Sequence, residues 1–131
     1  MRVFDPLETY VQLSDGPDAT LHAVGPDFWQ TIGTRDELRG GRLMSAYRFT
    51  EDGTSWERHP AGDELVVQLT GAMDLILDET NGERTVSLKG RAAVIVPRGV
   101  WHTARVFEPS EAIFITRGDG TEHRPLRPGK R

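Results

Sequence analysis

The stretch that decides the fold runs Trp56-Glu57-Arg58-His59-Pro60-Ala61-Gly62-Asp63-Glu64-Leu65-Val66-Val67-Gln68-Leu69-Thr70-Gly71. Glu57 and His59 stand two residues apart, so an extended strand turns both to one face. Pro60, Ala61 and Gly62 interrupt that strand, and Glu64 opens an apolar run that stops at Gly71. This arrangement can bring Glu57, His59 and Glu64 towards one point from two strands. A second stretch, Pro97-Arg98-Gly99-Val100-Trp101-His102, can supply another imidazole. Two carboxylates and two imidazoles converging is metal-site chemistry.

Outward from this stretch, strands dominate. Leu43–Thr50 alternates, with Leu43, Ser45, Tyr47 and Phe49 on one face and Met44, Ala46 and Arg48 on the other. Glu51-Asp52-Gly53 turns the chain into Thr54–His59. Beyond Gly71, Ala72–Asp78 is again extended. Asn81-Gly82 is the strongest hairpin signal and calls for a type I′ turn, with positive φ at both central residues. Arg84–Leu88, Ala92–Val96, Val100–Phe107 and Ala112–Thr116 complete the barrel strands, and Thr9–Leu13 and Thr20–Val24 are short extended pieces near the start. Helical signal is confined to residues 27–39. There Gly25-Pro26-Asp27 opens a turn carrying Phe28, Trp29 and Ile32, and Arg35–Arg39 adds another before Gly40-Gly41. The Phe28-Trp29 pair reads as a seal on one end of the core. Seven or eight short strands between turn signals predict an all-β sandwich or barrel. The expected organisation is a single domain with a leader over 1–41, a barrel over 42–117 and a tail over 118–131.

At 131 residues the chain is long enough to bury a core. Hydrophobic residues make up 37% and charged residues 27%, ordinary for a globular domain. No apolar run reaches the roughly 20 residues of a membrane helix, and the first residues lack the pattern of a signal peptide. A cytoplasmic location is the expectation. With no cysteine, disulfides, thiolate metal sites and a cysteine nucleophile are excluded. A net charge of −4 argues against nucleic acid or anionic membranes as partners. Any metal must be held by imidazole and carboxylate, which suits Fe, Mn, Zn or Ni.

The two stretches together resemble the motifs of the cupin superfamily. The first motif of that family is a Gly, five residues, His-x-His, three or four residues, Glu, six residues, Gly. Here Gly53 precedes Glu57-x-His59 by three residues, four residues lead to Glu64, and six more to Gly71. The second motif ends in Pro-x-Gly-x-x-His, three residues, Asn. Here Gly90 precedes Pro97-x-Gly99-x-x-His102, with Val106 in place of the Asn. The resemblance implies a single-domain jelly-roll barrel with a divalent metal inside it, held by Glu57, His59, Glu64 and His102. Glu57 is the departure, since the family more often has His there. His59, Glu64 and His102 alone make a two-histidine, one-carboxylate set that leaves open positions on a non-haem metal. Glu57 is then a fourth ligand, an outer partner that orients a histidine, or a general base and so the candidate catalytic residue.

Tyr47 and Gln68 are the candidate substrate contacts. Gln68 shares the face of Glu64 by period two. Trp56 and Trp101 have the opposite parity to their neighbouring ligands and should point away from the metal, towards an outer face or a subunit contact. His22 reads as an edge histidine. His123 either folds over the barrel mouth or is a tail histidine without a role. The expected function is a metal-binding protein acting on a small molecule, by dioxygenase or by isomerase or lyase chemistry. The alternative is a non-catalytic sensor or binding module, or a metal-free form. Small cupins are commonly dimers, so a homodimer is the expected assembly.

Overall fold

The structure is a computed structural model that describes residues 2–32 and 40–126. The helical turn expected over Arg35–Arg39 and the chain end beyond Leu126 lie outside these residues. Among the described residues nine strands form one antiparallel sheet: β1 (Thr9–Leu13), β2 (Ala19–Ala23), β3 (Arg42–Phe49), β4 (Ser55–Arg58), β5 (Glu64–Glu79), β6 (Gly82–Lys89), β7 (Ala92–Val96), β8 (Trp101–Thr116) and β9 (Glu122–Pro125). A one-turn helix, α1 (Phe28–Thr31), joins β2 to β3. Among the described residues no helix is long and apolar enough to cross a membrane.

Two long strands bend and thereby fold the sheet over. Residues 64–79 form one strand where two were expected, and so do residues 101–116. Gly71 makes the first bend possible with a φ of +97°, a region where a side chain is strained. A Cβ there would also meet Ser110 Oγ at 2.2 Å and the Pro109 carbonyl at 2.5 Å. The β5–β8 register shifts between Gln68 and Met73 and then resumes, so the ladder survives the corner. Pro109 sits at the same corner, where a missing N–H costs no ladder bond.

On one side of the bend the order is β2-β1-β3-β8-β5-β7, and on the other it is β9-β4-β8-β5-β6. The two halves share one core. Val66 and Val96 from the first pack with Leu75, Leu77 and Leu88 from the second, joined by Phe114 and Ala104. Inward positions follow the alternation read from the sequence: Ser45 pairs with Phe114, Tyr47 with Ala112 and Val66 with Phe114.

The β5–β6 hairpin forms where Asn81-Gly82 predicts a turn, but it is not type I′. Glu79 pairs with Gly82, so Thr80 and Asn81 are the loop residues. Within this turn only Gly82 has positive φ, at +114°, and among the described residues none other than glycine does. The sheet also runs past both expected barrel boundaries. In the leader, β1 pairs with β3, and in the tail, β9 pairs with β4 over Ser55–Arg58.

Candidate metal centre

Glu57 lies on β4, His59 follows it by two residues, Glu64 opens β5 and His102 opens β8. The Glu57–His102 register brings β4 and β8 together, and the Pro60–Gly62 turn returns the chain to Glu64. One ligand atom from each of the four residues lies within 4.8 Å of every other. His59 Nε2 is 2.9 Å from Glu57 Oε1 and 3.3 Å from Glu64 Oε2, and His102 Nε2 is 3.2 Å from Glu64 Oε1. His59, Glu64 and His102 are buried, whereas Glu57 is about one-third exposed, with a side-chain exposure of 37%.

Each imidazole is oriented through its other nitrogen. His102 Nδ1 lies 3.0 Å from the Val100 carbonyl, which only accepts, so the proton is on Nδ1. His59 Nδ1 lies 2.8 Å from Thr121 Oγ1, and that hydroxyl donates to the Gly118 carbonyl at 2.8 Å. Thr121 therefore accepts from His59 Nδ1–H. Both Nε2 atoms are thereby aimed at the carboxylates, where each pairs with them as N–H in the metal-free protein and would offer its lone pair to a bound metal. The Thr116 hydroxyl donates to Glu64 Oε2. His59 Nε2 and Glu64 Oε1 are buried without a correctly directed hydrogen bond, despite their close charged neighbours. Buried polar atoms are rarely left so, and a divalent cation among these four side chains would satisfy both. The donor set fits such a cation.

Charge couples the cluster. Burial alone would raise the Glu64 pKa, but the imidazoles of His102 and His59 outweigh it and pull it down to about 2. Burial would lower that of His59, yet Glu57 and Glu64 push it up to about 9. His102 is raised mainly by Glu64 against the opposing effect of burial, and Glu57 is lowered mainly by His59 against the same effect.

The structure separates the two candidate substrate contacts. Tyr47 belongs to an aromatic wall beside the cluster. Its ring lies 6.0 Å from Tyr10, 5.4 Å from Phe114, and 5.8 Å from Trp29 in a stacked arrangement. Burial pushes the Tyr47 hydroxyl pKa up, and the nearby Glu57 carboxylate adds to that rise. Phe28 is fully buried and does seal the core, while Trp29 is half exposed. Gln68 is placed elsewhere. It is fully buried at the corner, and its amide nitrogen donates to the carbonyls of Gly71 (3.2 Å), Leu88 (3.1 Å) and Gly90 (2.7 Å). That environment gives it a structural task in place of the expected ligand contact.

Trp56 and Trp101 do face away from the cluster. Arg124 stacks over both, at 5.4 Å and 4.6 Å, and Arg58 covers Trp101 at 4.7 Å. A groove of about 540 Å³ opens on this outer side, lined by Asp52, Trp56, Asp78, Thr103 and Arg124 among others. Sequence reading passed over Thr116 and Thr121. It left His123 either over the barrel mouth or without a role; His123 is the register partner of Glu57 and lies 2.8 Å from its Oε2. The available signal was the alternation Thr121-Glu122-His123-Arg124 between Gly120 and Pro125, a strand too short to stand out from a tail.

No family model and no curated protein matches the sequence. Solved structures do match. Peruvianin-I, a cysteine peptidase from Thevetia peruviana latex, aligns over 66% of this chain and 58% of its own at 16% identity and a TM-score of 0.56. An oxalate oxidase aligns over 61% of this chain and 44% of its own at 16% identity and a TM-score of 0.52. A cupin superfamily protein from Desulfitobacterium hafniense aligns over 57% of this chain and 65% of its own at 20% identity and a TM-score of 0.49. The chain thus spans between about two-fifths and two-thirds of the length of these proteins. The likeness is one of fold: the present chain, for one, has no cysteine. The fold is a cupin jelly roll, and it carries a His/Glu cluster that can hold a metal.

Proposed function

We propose that this protein binds one divalent metal through His59, Glu64 and His102, with Glu57 as fourth ligand, and acts on a small molecule at that metal. The observation that carries the reading is the convergence of one ligand atom from each of four His and Glu side chains to within 4.8 Å of one another, with His59 Nε2 and Glu64 Oε1 buried and without a directed hydrogen bond. Fe, Mn, Zn and Ni suit imidazole and carboxylate donors. A bound metal of this kind supplies Lewis-acid polarisation or an O₂-binding centre. The chain does the rest. Val100 and Thr121 keep the two imidazoles in the ligating tautomer. Glu57, the least buried of the four, holds or takes a proton at the mouth of the site. Tyr47 and Trp29 present a flat wall against which a small substrate packs.

The test is a titration of metal-free protein with Fe(II), Mn(II), Zn(II) and Ni(II), followed by a small-molecule screen on each loaded form. Oxygen uptake by the Fe(II) form supports dioxygenase chemistry. Turnover under nitrogen with a redox-inert metal supports isomerase or lyase chemistry. A second reading, a metal-free binding module, is favoured by the ion pairs of His59 with Glu57 and Glu64, which balance charge without a cation. Ligand binding that persists after chelation would support it.

A second copy of this chain is the proposed assembly partner. Met44, Ile115, Leu65 and Ile95 line up in one row across four strands on the outer face of the β3-β8-β5-β7 half. Ile95 is 61% exposed and the nearby Leu69 is 44% exposed. Contiguous apolar surface of this kind marks an interaction site. The tryptophan face, in contrast, already stacks with Arg58 and Arg124.

A further inference from the structure

We propose that the strand β9 and Thr121 just before it complete the metal site: Thr121 sets the tautomer of His59, and His123 holds Glu57 in its ligating position. The proposal rests on the metal-binding reading above and adds residues outside the four-donor set.

Residues 121 to 124 alternate in direction. Thr121 and His123 turn inward, to His59 and Glu57. Glu122 and Arg124 turn outward and pin the strand. Glu122 bonds Arg58 at 2.7 Å, and Arg124 pairs with Asp78 and stacks on Trp56 and Trp101. Among the described residues β9 pairs with β4 alone, the strand that carries Glu57.

The two imidazole ligands are therefore oriented by different means. His102 relies on a carbonyl two residues away, whereas His59 relies on a hydroxyl 62 residues away in sequence. Glu57 needs more help than Glu64, because it is exposed and its carboxylate can rotate. His123 Nε2 ties Oε2 from outside at 2.8 Å, which leaves Oε1 aimed inward, 2.9 Å from His59 Nε2. Position 57 is where the resemblance expects an imidazole, and here an imidazole stands directly behind the carboxylate. Thr121 and His123 are positioning residues. Partners of this kind are typically worth about 10–100-fold in metal affinity.

The experiment is Co(II) titration of the metal-free full chain, followed by visible absorption and calorimetry, with thermal melting of each metal-free variant alongside. Thr121→Val and His123→Ala should each weaken Co(II) binding about 10–100-fold. Thr121→Ser, which keeps the hydroxyl, should restore it. His123→Gln, which keeps an N–H donor, should recover part of it. Because His123 acts through Glu57, adding His123→Ala to Glu57→Gln should cost no further affinity. His123 is 57% exposed at its side chain, so its variants should fold normally. Wild type that binds Co(II) no better than Thr121→Val and His123→Ala would overturn the proposal while leaving the metal site intact. Wild type that takes up no Co(II) would overturn the metal reading and this proposal with it.

Discussion

Gln68 shows what a buried polar side chain contributes when its partners are all backbone. Its amide nitrogen ties together the carbonyls of Gly71, Leu88 and Gly90, beside the backbone bond from Gly90 N–H to the Gly71 carbonyl at 2.8 Å. Gln68→Ala should lower unfolding stability by roughly 2–4 kcal/mol, from lost hydrogen bonds and a cavity. Metal uptake should be unchanged, and urea unfolding beside metal analysis checks both. The charged cluster predicts a pH dependence. In the metal-free protein His59 has its pKa raised from 6.5 to about 9. Its attraction to Glu57 and Glu64 therefore stabilises the fold in full below about pH 6.5, and that share is lost as pH rises to about 9. Glu64 has its pKa lowered from 4.5 to about 2, so its share is present above 4.5 and is lost as pH falls to about 2. The melting temperature of metal-free protein should peak between pH 4.5 and 6.5 and fall on either side. A melting temperature that climbs steadily from pH 6.5 to 9 would sink this account of His59. At this scale the donors were legible because their spacing along two strands is fixed by chain geometry. Thr116 and Thr121 were not, because their contacts depend on register across the sheet, which a single strand does not encode.

The bends in β5 and β8 decide how the sheet folds over into two halves around one core. The Gly71 corner is packed so tightly that a methyl group has no room beside Ser110 and Pro109. Combined with the strain of positive φ, Gly71→Ala should cost more than about 3 kcal/mol, and calorimetric melting would measure it. A loss below 1 kcal/mol would mean that the corner relaxes freely. Sequence reading found every strand but β9, and it broke residues 64–79 at Gly71 and residues 101–116 between Phe107 and Ala112. Gly71 is a strong punctuator in isolation, and here it marks a bulged corner in a continuous ladder. The Asn81-Gly82 turn was placed correctly within a residue and given the wrong type. The pairing of Glu79 with Gly82 puts Thr80 and Asn81 in the loop and asks positive φ of the glycine alone. The strand β9 was missed because four residues near a chain end carry little periodic signal.

For the whole molecule, the all-β class was legible from turn spacing and alternation, and the jelly roll from the resemblance that the two motifs carry. How the outer faces differ was not legible, since parity assigns a residue to a face without saying what covers it. Arg58 and Arg124 cover the tryptophans, while the opposite half exposes Ile95 and Leu69. The proposed dimer should scatter light as twice the 14.6 kDa chain. Ile95→Lys, which places a charge in the apolar row, should shift it towards monomer, and monomeric wild type across micromolar concentrations would contradict the assembly.

The central claim is that four side chains from three strands hold a metal. Elemental analysis of untagged protein tests it most directly, with His59→Ala and His102→Ala analysed beside wild type. The account predicts near-stoichiometric divalent metal in wild type and its loss in both variants. Wild type that holds no metal, even after reconstitution with Fe(II), Mn(II), Zn(II) and Ni(II) in turn, would contradict it.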